Sequence, residues 1–137
     1  MPSSSGLVLS NPDELVRAFD DIKASRVDAL VVLGDPGVFW IHRKMIAETL
    51  AALRLPAMHT NPETVTVGGL MSYGPDLAET AKHGAAYVDK IIRGARPEDL
   101  PVEQPMRLKL TINLPAARAL GLTIPPSLLL RADQVIE

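Results

Sequence analysis

The sequence predicts an α/β fold in which helices cover the faces of a parallel sheet. Segments of strand and helix character alternate along residues 7–71, and such alternation is typical of parallel strands joined by right-handed helical crossovers. Residues 28–34, DALVVLG, are almost wholly apolar and rich in β-branched side chains, as in a strand that is covered on both faces. These two patterns together predict three layers, a central sheet with helices on each of its faces.

Composition limits the classes of function. A length of 137 residues suits one domain with its own core. The net charge of −2 and the aromatic content of 4% argue against a nucleic-acid surface. The absence of cysteine excludes disulfides, thiolate metal sites and a cysteine nucleophile. No segment approaches the length of a membrane span, and the N-terminus does not read as a signal peptide.

The first half of the chain carries clear signals for individual elements. Residues 7–9 form a short strand candidate, and Asn11 with Pro12 marks the start of a helix that runs to about Ser25. A strand over 28–34 and a helix over 40–54 follow. Pro56 to Met58 is the next predicted strand, and residues 59–62 form its loop.

The second half contains the longest predicted helix. A fourth strand is expected over 67–71, and Gly74-Pro75-Asp76 opens a helix that ends at Gly94. Residues 95–105 read as an extended connector with three prolines. Residues 106–113 alternate between apolar and polar side chains, which predicts a strand with one wet face made of Arg107, Lys109, Thr111 and Asn113. A short helix over 113–121 and a last apolar segment complete the chain.

Polar residues follow three of the predicted strands and suggest a small-molecule pocket. Ligands of open α/β sheets bind outside the carboxyl ends of the strands, where a few polar groups in an apolar cleft set the orientation of the ligand. Asp35 is equally well explained as a capping or turn aspartate. The candidate ligand-binding residues are Asp35, Pro36, Thr60, Asn61, Ser72 and Tyr73.

Patterns of catalysis and metal binding are absent from the sequence. There is no G-x-S-x-G elbow and no glycine-rich phosphate loop with its lysine. His42, His59 and His83 are scattered, so each is interpreted as a surface or packing residue. Phe39 and Trp40 at a helix start are interpreted as core or staple residues. No catalytic residue, metal or cofactor is predicted.

Three segments in combination resemble a known family. SYGPDL, the connector LPVEQP and the ending ALGLTIPPSLLLRAD are similar to the C-terminal part of the ABC transporter substrate-binding proteins, which have the type I periplasmic-binding-protein fold. The segment DALVVLGDPGVFWIHRKMIAETLAALRLPAM resembles the same family. The resemblance covers nearly the whole chain, from about Leu7 to Glu137.

The resemblance implies a binding protein with two lobes that close on a solute by hinge motion. It implies a small organic ligand such as an amino acid, an ABC transporter permease as partner, and a location in the periplasm or cell envelope. The visible N-terminus, without an export signal, instead favours the cytoplasm if the chain is complete. Relatives carry an aromatic residue and other polar groups where this chain has HTNPETVTV, so the ligand is not specified.

The resemblance also implies a division of the chain and a missing first lobe. Residues 1–67 correspond to the second-lobe core, 68–105 to the crossover strand, helix and connector, and 106–137 to the return strand and C-terminal segments. The chain therefore reads as a fragment or a truncated product. Helix 75–93 would then lack its usual sheet, and its apolar face predicts self-association.

Three other functions remain open at the level of sequence. The same fold serves as the ligand-sensing part of regulators, although no DNA-binding helix pair is present here. A small enzyme of flavodoxin-like outline would need positioned acid and base groups, which the sequence does not offer. An inactive fragment is the third alternative.

Overall fold

A computed structural model describes residues 6–9, 11–34, 37–103 and 107–137. Its helices are α1 (Pro12–Ser25), α2 (Val38–Ile41), α3 (Arg43–Ala52), α4 (Pro62–Thr66), α5 (Leu77–Ile92), α6 (Leu114–Ala119) and α7 (Pro126–Leu129). Its strands are β1 (Leu30–Val32), β2 (Ala57–His59), β3 (Met71–Pro75), β4 (Leu108–Asn113) and β5 (Gln134–Ile136).

The five strands form one sheet in the order β1-β2-β3-β4-β5. Neighbouring strands are parallel except for β3 and β4, which pair antiparallel from Met71–Ile112 to Pro75–Leu108. The predicted α/β class with a mostly parallel sheet is confirmed. The carboxyl ends of β1, β2 and β3 consequently lie side by side at one edge of the sheet.

The first helix forms where its capping signals predict it. The Asn11 side-chain oxygen accepts a hydrogen bond of 3.0 Å from the Glu14 amide, and Pro12 occupies the first helical position. Arg26 ends the helix in the left-handed conformation, at a φ of 49°. The helix buries Leu15 and Ala18 on its inner face.

The main core lies between these helices and the first two strands. Leu15 of α1, Ile46 and Leu50 of α3, and Ala57 of β2 are buried together. Half-buried apolar side chains surround them: Leu9, Phe19, Leu30, Val32, Val38, Phe39 and Leu55. This packing holds α1 and α3 against β1 and β2, so the strand ends that follow are firmly positioned.

The predicted wet face of the 106–113 strand is wrong at its C-terminal half. Thr111 and Asn113 are buried beside the fully buried Ile112. The Asn113 amide nitrogen donates to the Val65 carbonyl at 3.1 Å, and its oxygen accepts from the Ala116 amide at 2.9 Å. A buried amide is tolerated when its groups are paired, and α4 and α6 supply these partners.

Other boundaries also differ from the predictions. Residues 7–9 are not in a strand of the described structure. The fourth strand runs over Met71–Pro75 instead of 67–71, because residues 62–66 of the expected loop form α4 and Gly68, with φ of 112°, turns the chain after it. The helix over 40–54 is divided into α2 and α3 at His42.

Helix α5 leaves the sheet and buries none of its residues. Asp76 caps it by accepting from the amides of Ala78 and Glu79, at 3.1 and 3.3 Å. The hydrogen bond from Lys109 lowers the pKa of the Asp76 carboxyl below its usual value. The face of α5 that begins at Leu77 stays open, with Val88 exposed to 55% and Ile92 to 78%.

We expect Ile112→Ala to lower the free energy of unfolding by about 2–5 kcal/mol, because it leaves a cavity in the centre of the sheet. Leu108→Ala in the same strand is the control, and should cost less than about 1 kcal/mol since Leu108 is 45% exposed. Urea denaturation measures both. Equal losses for the two variants would contradict the packing described.

Candidate functional site

The ends of β1 and β2 are joined by a hydrogen bond. The Gly34 amide donates to the Thr60 hydroxyl oxygen at 2.9 Å. A Cβ added to Gly34 would lie 2.8 Å from that oxygen and 2.7 Å from the Asn61 side-chain nitrogen. A side chain at position 34 would therefore displace the side chains of two predicted ligand-binding residues, Thr60 and Asn61.

The third strand also approaches the end of β2 closely. A Cβ on Gly74 would overlap the backbone carbonyl of Thr60. Because Gly74 has none, β3 can pass directly beside the residue that follows β2. This contact sets the spacing between Thr60 and the end of β3.

Ser72 and Tyr73 lie in β3 but occupy different environments. Ser72 pairs with His59 in register and is 1% exposed, and its hydroxyl oxygen has no hydrogen-bond partner in the described part of the chain. Tyr73 is 47% exposed. Since successive side chains of a strand point to opposite faces, Tyr73 lies on the exposed face of β3 and Ser72 on the buried face.

The structure therefore brings together only part of the predicted set. Thr60 and Asn61 adjoin each other and Gly34 at the edge, and Tyr73 lies on the next strand. Ser72 is buried. Asp35 and Pro36 were predicted as ligand-binding residues and lie outside the described residues.

A narrow crevice at this edge includes two residues that the sequence did not identify as ligand contacts. Its volume is about 10 Å³, room for one water molecule. Phe39 and Arg43 line it with Gly34, Thr60 and Asn61. Arg43 is the first residue of α3. In the sequence it lies inside the predicted helix over 40–54, where no signal distinguishes it from a solvated basic residue.

His59 separates this crevice from a second cavity. It lines both spaces and is 4% exposed. Burial lowers the pKa of its imidazole from 6.5 to about 4, because the charged form would lose its hydration. His59 is therefore neutral at pH 7.

The second cavity lies between α3, α6 and the turn at Gly68-Gly69, and has a volume of about 240 Å³. Its wall is mainly alanine, glycine and leucine. Asn113 also lines it, but both ends of that amide are already hydrogen-bonded. The cavity thus offers few free polar groups to a solute.

A titratable pair and a hydrogen bond join the connector to α5. His83 Nδ1 lies 3.1 Å from Glu103 Oε2, and the Tyr87 hydroxyl donates to the Pro101 carbonyl at 2.6 Å. The His83 hydrogen bond lowers the pKa of the Glu103 carboxyl. Within residues 6–9, 11–34, 37–103 and 107–137, no three metal-ligating side chains cluster, and no helix is long and apolar enough to cross a membrane.

We expect Gly74→Ala to destabilise the chain by about 1–3 kcal/mol, because the new methyl group collides with the backbone of Thr60. Gly84→Ala is the matched control. Gly84 lies inside α5 with open space around it, so alanine there should stabilise by up to about 1 kcal/mol. Thermal and urea unfolding report both. A neutral Gly74→Ala would contradict the close contact of β3 with Thr60.

We expect stability to fall as the pH is lowered from 6.5 towards 4.5, because the unfolded chain binds a proton at His59 and the folded chain does not. The full effect, reached below the folded pKa of about 4, is on the order of 3 kcal/mol. Urea unfolding as a function of pH measures the slope. His59→Gln should flatten it above pH 4.5, and an unchanged slope in that variant would refute the assignment.

Comparison with known proteins agrees with the geometry of the fold. The family model of the ABC transporter substrate binding protein matches residues 7–136. A conserved domain protein from Vibrio cholerae O1 biovar El Tor has 26% identity and a TM-score of 0.81, over 90% of this chain and 41% of that one. No curated protein matches the chain.

Two further solved structures share the fold. The ABC domain in complex with L-Trp from Streptococcus pneumonia is 28% identical, with a TM-score of 0.82, over 91% of this chain and 42% of its own. A ligand-free, open substrate binding protein with adhesive properties from Clostridium difficile is 17% identical, with a TM-score of 0.63, over 93% of this chain and 42% of its own. This chain thus spans about two fifths of each solved protein. The family match over residues 7–136 shows that the chain belongs to the ABC transporter substrate binding protein family.

Proposed function

We propose that this chain captures a small organic solute at the carboxyl edge of its sheet, as the binding component of an ABC-type importer. The observation that carries the proposal is the joined edge of Gly34, Thr60 and Asn61 in a chain of the substrate-binding family. Open α/β sheets bind ligands at this edge. The role is binding without catalysis.

An amino acid or a similar solute is the proposed ligand. The Streptococcus pneumonia protein, 28% identical to this chain, is described in complex with L-Trp. In the present chain the exposed Tyr73 offers an aromatic surface, and Thr60 and Asn61 offer hydrogen-bonding groups. Such a mixture suits a ligand with an apolar body and a polar end.

The proposed partner of the binding component is an ABC transporter permease, and the proposed location is the periplasm or cell envelope, both by family. The open face of α5 is a candidate surface for a second partner. Its exposed apolar residues are Leu77, Ala81, Ala85, Val88 and Ile92, and an apolar patch of this kind marks an interaction site. We propose that two copies of the chain pair through this face.

Thermal-shift screening against the amino acids tests the binding proposal. We expect one solute class to raise the melting temperature, since a ligand that binds only the folded state stabilises it. Asn61→Ala and Tyr73→Ala should reduce the ligand-induced rise. Tyr87→Ala is the control, because Tyr87 lies on α5, away from the crevice. A folded chain that responds to no solute would contradict the proposal.

Light scattering tests the pairing of two copies. We expect a dimer at micromolar concentration, and a monomer when Val88→Lys and Ile92→Lys are combined, because burying two ammonium groups opposes association. Lys82→Glu, on another side of α5, should remain a dimer. A monomeric unmodified chain would refute the pairing.

A further inference from the structure

We propose that Arg43 binds the carboxylate group of the solute, so that this chain selects carboxylate-bearing solutes over their neutral analogues. The inference rests on the proposed binding function and specifies its ligand class. It depends on the geometry of the guanidinium group, on the charge of the crevice and on the groups beside it.

One side of the guanidinium is already committed to the protein. Arg43 Nη1 donates to the Trp40 carbonyl oxygen at 2.8 Å. The guanidinium carbon lies 5.0 Å from the centre of the Trp40 ring, within the range of a cation–π contact. These two contacts orient the group before any ligand arrives, which lowers the entropic cost of binding.

The other side of the guanidinium is free to donate. Nε is buried from solvent and has no hydrogen-bond partner, and no described residue accepts from Nη2. With Nη1 held by Trp40, the edge that remains carries the parallel N–H groups of Nε and Nη2. A carboxylate matches two parallel N–H groups with its two oxygens. A buried N–H without a partner costs free energy in the empty protein, and a ligand oxygen would relieve that cost.

The charge of the crevice favours an anion. Among the described residues that line it, Arg43 carries the only charge at pH 7, since His59 is neutral there and no lining residue is acidic. No carboxylate of the described chain forms an ion pair with Arg43. The positive charge is therefore not compensated within the described lining.

The neighbouring groups also favour a carboxylate. Thr60 uses its hydroxyl oxygen as an acceptor for Gly34, which leaves the hydroxyl hydrogen able to donate outward. The amide of Asn61 lies at the same edge and can also donate.

Matched pairs of ligands test the proposal. Isothermal titration calorimetry measures the affinity of each amino acid and of its carboxamide, beginning with L-tryptophan and L-tryptophanamide. The difference between the two affinities is the contribution of the carboxylate. We expect the acid to bind at least about tenfold more tightly than the amide, as a charged hydrogen-bonded pair predicts. In Arg43→Gln the ratio of the acid's affinity to the amide's should fall to near one. Arg43→Lys should restore only part of this ratio, because lysine cannot pair bidentately.

Lys44→Gln is the control for a general loss of positive charge. Lys44 is the next residue, is largely exposed and pairs with Glu48 at 3.8 Å, so its loss should leave the preference intact. Equal affinity of acid and amide in the unmodified chain would overturn the carboxylate proposal and leave the binding function standing. An equal loss of both ligands in folded Arg43→Gln would also overturn it. If no acid and no amide binds the unmodified chain, both proposals fail.

Discussion

The hydrogen bond from the Gly34 amide to the Thr60 hydroxyl joins the ends of two parallel strands, and the candidate site is built on that junction. Thr60 can hold this position because its two close neighbours are glycines. A Cβ on Gly34 would press on the Thr60 side chain, and a Cβ on Gly74 would overlap the Thr60 carbonyl. Three consecutive strand ends are thereby drawn together. The polar groups at the edge are few, and hydrogen bonds to the backbone hold Thr60 and Arg43 before a ligand binds.

Local signals were sufficient to predict the elements that depend on neighbouring residues. The cap at Asn11 and the proline after it define the start of α1, and Asp76 does the same for α5. The apolar residues 28–34 predict a parallel strand that is covered on both faces. A parallel strand, β1, does form within them. Its second face is not covered, since Val31 is 59% exposed. The strand-end rule also indicated Thr60 and Asn61, since it requires only the order of strands and loops.

The other features of the fold and the site depend on contacts between residues that are distant in sequence, and a local sequence pattern does not reveal such contacts. Asn113 and Thr111 have the alternation of a wet face, yet α4 and α6 cover Asn113 and pair its amide. Helix α4 is only five residues long, which is too short for a local pattern to distinguish it from a loop. Arg43 lies inside a predicted helix, where a basic residue is ordinarily solvated, so the sequence does not indicate a binding role for it. Its significance depends on which of its nitrogens Trp40 occupies.

Amide chemical-shift mapping by NMR shows directly whether the solute binds at the carboxyl edge of the sheet. A titration of the isotopically labelled chain with L-tryptophan, or with another amino acid that raises the melting temperature, locates the ligand residue by residue. We expect concerted shifts at Gly34, Thr60, Asn61 and Tyr73. Shifts confined to Gly68, Gly69 and Ala116, around the apolar cavity on the other side of His59, would contradict it.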